Sequence, residues 1–177
     1  ERFPLRSYDS AIFKAARSID FSARGELEIT DAIQWLITQK LDVRFHLIKG
    51  WWKDTGKLED LLEANRMICD DFEMKIEGEV DGASRIEFKV VIEKGAQVQN
   101  SIIRGPSIIG TNTKIINSYV GPFTAINHDC EIYESEIEHS IVLEGSRISK
   151  IHSRISDSLI GKNVEIMGNP RRLKHHQ

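Results

Sequence analysis

Asn100-Ser101-Ile102-Ile103, Asn117-Ser118-Tyr119-Val120 and Glu134-Ser135-Glu136-Ile137 are one tetrapeptide pattern, returning each time after 17 residues. His152-Ser153-Arg154-Ile155 continues it after 18, and a sister pattern, His139-Ser140-Ile141-Val142, returns after 18 as Asp157-Ser158-Leu159-Ile160. A finer period lies underneath. Val80, Ile86, Ile92, Val98, Ile103, Ile109, Ile115, Val120, Ile126, Ile132, Ile137, Leu143, Ile148, Ile155, Ile160 and Ile166 follow at steps of mostly five or six residues. An α-helix offers no reason for a six-residue step. A parallel β-helix does: each side of a triangular coil takes about six residues, and one apolar side chain per side must face the shared axis. A coil of 17 is then two sides of six and one shortened by a residue, and a coil of 18 has no shortened corner or carries a bulge. The ladder spans about five such coils. Four residues after many rungs stands a second, usually small inward candidate: Ser84, Ala96, Ser107, Thr113, Thr124, Cys130 and Val164.

Outside the ladder the composition is that of an ordinary globular chain, with 177 residues, 40% hydrophobic and 29% charged. A net charge of -3 gives no ground for a nucleic-acid partner or an anionic membrane surface. The basic run Arg171-Arg172-Leu173-Lys174-His175-His176 reads as a solvated terminus. No apolar run approaches the length of a membrane span and no signal peptide is visible, so the expected location is cytoplasmic. Cys69 and Cys130 both fall at inward positions, which predicts buried structural thiols rather than a disulfide framework. The opening Glu1-Arg2-Phe3-Pro4 does not resemble a natural beginning, so the chain is expected to be the C-terminal portion of something longer.

Upstream of the ladder the periodicity changes. Residues 8 to 20 predict a helix with Ile12, Phe13, Ala16 and Ile19 on one face and Ser10 as a candidate N-cap. Arg24-Gly25-Glu26-Leu27-Glu28 predicts a turn. Ile29, Ala32, Ile33, Leu36 and Ile37 predict a second helix, with Thr30 or Asp31 near its start. Val43, Phe45 and Leu47 alternate with Arg44, His46 and Ile48 as a strand would. After the glycine-bounded loop Gly50-Trp51-Trp52-Lys53-Asp54-Thr55-Gly56 a third helix follows, with Leu58, Leu61, Leu62, Ile68, Cys69 and Phe72 inward. The reading is an α/β fragment over residues 1–72, an all-β parallel β-helix over 73–168 and a tail over 169–177. The coil stack needs its ends covered. The helix ending near Phe72 is expected to cap one end and the segment after Ile166 the other. Outward positions carry charges (Arg104, Lys114, Glu136, Arg147), and Tyr119, Phe123 and Tyr133 are candidates for a self-association face, so a homo-oligomer is expected.

The two tryptophans beside an aspartate are the most unusual local composition. A carboxylate in a loop after a strand is where α/β proteins place ligand-binding groups. The same residues also fit an aspartate that caps the following helix, with tryptophan packed beneath.

Three stretches break that tie. Arg24-Gly25-Glu26-Leu27-Glu28-Ile29-Thr30-Asp31, followed by Gly50-Trp51-Trp52-Lys53-Asp54-Thr55-Gly56 and Leu58-Glu59-Asp60-Leu61-Leu62-Glu63-Ala64-Asn65, resembles the sugar-1-phosphate nucleotidylyltransferases. The resemblance is strongest to the long-form glucose-1-phosphate thymidylyltransferases, which carry a C-terminal left-handed β-helix of hexapeptide repeats, and it covers essentially the whole chain. It implies a reaction in which a sugar 1-phosphate, here glucose 1-phosphate, attacks the α-phosphate of a nucleoside triphosphate, here dTTP, and pyrophosphate leaves. It implies Mg2+, with Asp54 as one of two aspartate ligands. It places Arg24 near the sugar phosphate, as a catalytic and substrate-binding group, and Trp52 at the border of the sugar pocket, where packing is an equal alternative. The glycine-rich nucleotide loop and the first metal aspartate of that family have no counterpart in these residues, since Gly105-Pro106 and Gly121-Pro122 are repeat corners. This chain alone is therefore expected to be inactive, with the coil serving assembly. Two alternatives stand beside it: a β-helix acyl-coenzyme A-dependent acyltransferase, with His128, His139 and His152 as candidate bases, and a non-catalytic assembly or regulatory subunit.

Overall fold

The six-residue step becomes a left-handed parallel β-helix of about five coils. Its three flat sides are two six-stranded sheets and one four-stranded sheet, every pairing parallel and between successive coils. The computed structural model describes residues 10–45, 47, 49 and 52–168.

The interior is the ladder itself. Val98, Ile103, Ile109, Ile115, Val120, Ile126, Ile132, Ile137 and Ile148 are buried to within 1% exposure and pack as one core; Val80, Ile86, Ile155 and Ile166, toward the ends, are only partly buried. One rung differs from the reading above. Val142, not Leu143, takes the inward slot, aligned with Ile126 on one side and Ile160 on the other. The coil between Ile126 and Val142 has a second shortened corner, and a one-residue slip exchanges inside for outside.

The small inward positions have a physical role in the corners. Ala96, Ser107, Thr113, Thr124 and Cys130 are fully buried, as their spacing predicts. A second column, the serine of the quoted tetrapeptide, stitches coil to coil. The amide of Ser101 donates to Ser84 Oγ at 3.1 Å, that of Ser118 to Ser101 Oγ at 3.0 Å and that of Ser135 to Ser118 Oγ at 3.3 Å. Each such hydroxyl donates in turn, Ser84 to the Asp81 carboxylate and Ser101 and Ser118 to carbonyls, as Ser118 does to Ile116 at 2.7 Å. A corner cannot complete a β-ladder, so a short hydroxyl that both donates and accepts satisfies backbone groups that would otherwise be buried unpaired. Asn100 and Asn117, at φ 44° and 50°, turn the same corner, and Asn100 Nδ2 donates to Asn117 Oδ1 at 2.8 Å. Asparagine tolerates this left-handed backbone. Removing one stitch has a measurable consequence: Ser118→Ala is expected to lower unfolding free energy by about 1–3 kcal/mol, the cost of a buried amide left without its acceptor, read from denaturant melts of the chain.

The bulge expected in the last full coil lies at residues 150–154. Ile151, not Ser153, continues the serine column by donating to Ser135 Oγ, while Ile155 bridges Ile137. The two extra residues, His152 and Ser153, stand out at the surface.

The outer faces are unlike one another. One six-stranded sheet carries Lys114, Glu131, Arg147 and Glu165 in register, with Arg147 Nε 2.9 Å from Glu131. The other presents an apolar row in register, Val91, Ile108, Ala125, Ile141 and Leu159. Tyr119, Phe123 and Tyr133 do not form one face. Tyr119 is on the four-stranded sheet beneath Arg154, Tyr133 is on the charged sheet, and Phe123 turns a corner.

By contacts the chain divides into Glu1–Trp52 and Lys53–Gln177. In the first unit α1 (Ala11–Ser18) packs on α2 (Ile29–Thr38) through Ala15, Ala32 and Leu36, with Ala11, Ile12, Ile19 and Trp35 partly buried beside them. Phe13 is 66% exposed and Ala16 is also outward, so the apolar stripe of α1 is shifted from the expected one. Ser10 precedes α1 without a side-chain capping bond. Glu28 holds the N-cap position of α2, ahead of Thr30 and Asp31. The strand expected at residues 43–48 is absent among the described residues there; a strand needs a neighbour, and the described residues of 10–72 supply none. His46, Ile48, Gly50, Trp51 and the tail from 169 lie outside the described residues.

In the second unit α3 (Leu58–Asp70) buries Leu62 and Cys69. Rather than capping an end of the stack, it runs beside a corner. Asn65 Nδ2 donates to the Phe123 carbonyl at 2.9 Å, Arg66 lies 5.1 Å from the centre of the Phe123 ring, and Lys89 Nζ donates to the Asp70 carbonyl at 2.6 Å. Lys89 and Phe123 turn equivalent corners two coils apart, so the helix axis follows the stack. Both cysteines are buried and free, and burial pushes the Cys69 thiol up to about 11.

Candidate functional site

The Arg24 turn is built from Ser22 to Glu28. Ser22 N donates to the Glu26 carbonyl at 2.9 Å and Gly25 N to the Ser22 carbonyl at 2.8 Å. Gly25 adopts φ +74°, a left-handed geometry natural to glycine. Glu28, the fourth residue after Arg24, is what holds it. Arg24 Nε donates to Glu28 Oε1 at 3.1 Å, and Ser22 Oγ donates to the same oxygen at 3.1 Å. Those bonds from Arg24 and Ser22 hold the Glu28 carboxyl below its ordinary range. The lowered carboxyl makes the sign plain: the pairing helps the fold above the ordinary carboxylate range and fades as pH falls through the lowered value. The Arg24 side chain remains 74% exposed, its guanidinium held at one side and open to an anion at the other.

Asp54 lies in the segment leading into α3. The capping alternative is not realised, because the N-cap of α3 is Lys57 and no side chain caps the helix. The Asp54 carboxylate is exposed, and no ion pair engages it among the described residues. Its neighbour does the anchoring. Lys53 Nζ sits 3.3 Å from Asp60 Oδ1 and also hydrogen-bonds Glu63 Oε2, both on α3. Glu63 first, and Asp60 with it, hold the Lys53 ammonium above its ordinary value. Asp60 and Glu63 are three apart on a helix and so share a face, which is the only signal in the sequence that could have found this clamp. Trp52, at the end of the first unit, is 47% exposed.

Magnesium takes oxygen ligands and is often held by one or two carboxylates together with substrate phosphates. Asp54 fits as one such carboxylate, exposed and carried on an anchored loop. No group of three or more metal-ligating side chains occurs among the described residues.

The candidate bases fall apart from one another. His128 Nδ1 meets Asp129 Oδ2 at 2.6 Å in an exposed turn. His139 Nδ1 meets Asp157 one coil on, and its ring stands edge-on to Phe123 at 6.2 Å, in an open cleft also lined by Pro122, Glu138 and Ser156. His152 is at the tip of the bulge.

Residues 7–71 match the nucleotidyl transferase family, and the β-helix follows that segment. Among individual relatives, the chain is 48% identical over 163 residues to a glucose-1-phosphate thymidylyltransferase of Streptomyces griseus, covering 92% of this chain and 46% of that protein. It is 48% identical over 159 residues to the glucose-1-phosphate thymidylyltransferase of Streptomyces antibioticus, covering 90% and 44%. It is 35% identical over 161 residues to a bifunctional sugar-1-phosphate nucleotidylyltransferase/acetyltransferase of Sulfurisphaera tokodaii, covering 88% and 39%. The chain thus spans about half the length of the curated thymidylyltransferases it matches. No helix among the described residues is long and apolar enough to cross a membrane.

Proposed function

We propose that this chain is the C-terminal portion of a nucleotidylyltransferase that joins a nucleoside triphosphate, dTTP, to a sugar 1-phosphate, glucose 1-phosphate, giving a nucleotide sugar and pyrophosphate. The observation that carries the reading is the Asp54 carboxylate, exposed on a loop clamped to α3, in a chain whose thymidylyltransferase relatives match it over nine-tenths of its length. The working location is the cytoplasm and the working assembly a homo-oligomer, supported by the apolar outer row from Val91 to Leu159.

A phosphate oxygen of the sugar phosphate forms the new bond to the α-phosphorus while the bond to the pyrophosphate oxygen breaks. Negative charge moves onto the leaving group, so the protein's task is positioning and neutralisation. Arg24 offers its open side to the sugar phosphate, with Glu28 fixing the other side. Asp54 would help hold a magnesium ion, which would supply charge neutralisation for the phosphates. Trp52 contributes an indole face bordering the sugar.

Turnover with varied glucose 1-phosphate tests Arg24. In the whole protein, Arg24→Ala is expected to raise the KM for the sugar phosphate by about 10–100-fold, the worth of a charge-assisted hydrogen bond, with the smaller change in kcat. An unchanged KM sinks the assignment. The acyltransferase alternative rests on the His128–Asp129 and His139–Asp157 pairs, whereas the nucleotidyl reading is supported by residues in both units.

A further inference from the structure

We propose that Lys53 is a positioning residue for Asp54, and that the coil corner at Phe123 secures the helix that Lys53 grips, so that the β-helix sets the geometry of the metal-binding loop. This rests on the reading of Asp54 as a magnesium ligand.

The argument follows one chain of contacts inside the second unit. Asp54 is exposed and held by no ion pair among the described residues. Its backbone is fixed only as well as its neighbours are. Lys53 turns away from Asp54 to reach Asp60 and Glu63, and its side chain is 26% exposed. A lysine that joins two acids one turn into a helix pins the segment before that helix to its first turns. An isolated surface pair contributes little to stability. Two acids around one half-buried ammonium restrict the neighbouring carboxylate without adding much to the stability of the fold. Metal ligands need this kind of support, because ligand orientation is set by what holds the ligand.

The helix is itself fixed from the coil. Asn65 and Arg66 hold Phe123 by its carbonyl and its ring, and the carbonyl at the C-terminal end of α3 accepts from Lys89. The coil has an aliphatic interior that is buried through its middle, and every strand is paired. The division between the two compact units falls between Trp52 and Lys53, so the Asp54 loop belongs to the body that contains the coil. The repeat therefore acts as a bench on which the loop is mounted, in addition to any part in assembly.

The test has one readout without metal and one with it. Hydrogen exchange is first measured on this chain in metal-free buffer. Lys53→Met is expected to speed exchange of the amides of residues 53–60 by about tenfold, while Lys53→Arg stays within about twofold of the parent. The midpoint of thermal melting is expected to hold, which separates loop release from unfolding. Unchanged exchange at 53–60 overturns the proposal. Turnover of the whole protein is then titrated with magnesium chloride. Lys53→Met is expected to raise the magnesium midpoint by about 10-fold, the scale for loss of a group that orients a metal ligand, with recovery at saturating magnesium and rescue by Lys53→Arg. Asn65→Ala, which removes the grip on Phe123, is expected to shift the midpoint in the same direction. Faster exchange with an unmoved magnesium midpoint overturns the positioning role while leaving Asp54 in place. Full turnover in Asp54→Asn overturns the reading of Asp54 itself, and this proposal with it.

Discussion

Asp54→Asn in the whole protein is expected to lower kcat and kcat/KM together by about 10²–10³-fold, the usual loss when one preorganised electrostatic group is removed from a charged transition state. The substitution keeps the shape and removes the charge. It removes no helix cap, because the position before α3 is Lys57 and its side chain makes no capping bond. It breaks no ion pair among the described residues, since the clamp on that loop is made by Lys53. Folding is therefore expected to survive, with an unchanged melting midpoint, and the loss falls on chemistry. Raising magnesium recovers only part of the rate, because the missing ligand is a charge and not an orientation. Turnover within about threefold of the parent would remove Asp54 from the metal site and with it the strongest support for nucleotidyl transfer.

In the coil the largest expected effect is on stability. Ile115→Ala is expected to lower unfolding free energy by about 2–5 kcal/mol, the range for deleting a buried branched aliphatic side chain from an interior that cannot collapse around the gap. Ile115 is 0% exposed and stacks in register between Val98 and Ile132. A coil contacts only its neighbours, so a gap in the middle weakens two interfaces at once. Ile155→Ala provides the internal comparison. Ile155 is only partly buried and is joined to Ile137 by a single isolated bridge beside the bulge, so its loss is expected to be the smaller of the two. Denaturant melts of the chain read both. Equal losses at the two positions would contradict a shared axial core that thins toward the bulge.

The repeat was legible because its period has one physical cause. Each side of the coil must send an aliphatic residue to the axis, and isoleucine at five or six residues records that demand directly. Val142 escaped because the rule counts residues per side, and the coil between Ile126 and Val142 drops one more at a corner. Leu143 and Val142 are equally apolar, so composition could not separate them. The Arg24 and Asp54 blocks were legible by resemblance, and nothing in their spacing told a ligand from a helix cap. Lys57 at the N-cap removes the cap alone. Glu28 pairs with Arg24 because a turn closes between them and brings the fourth residue back to the guanidinium. The segment 43–48 had the right alternation but no neighbouring strand among the described residues of 10–72, and alternation alone forms no sheet.

The sequence by itself determined the parallel coil, its 17-to-18-residue period, its small inward corners and the two blocks that carry the nucleotidyl transferase resemblance. These depend on side-chain type at fixed local spacing. Tertiary structure alone decided that α3 runs along a corner instead of closing an end, that Lys53 is clamped to Asp60 and Glu63, and that Asp54 stands exposed beside them. Those facts depend on which surfaces meet across 58 residues of chain, as Asn65 and Phe123 do, and no local period records a meeting of that kind.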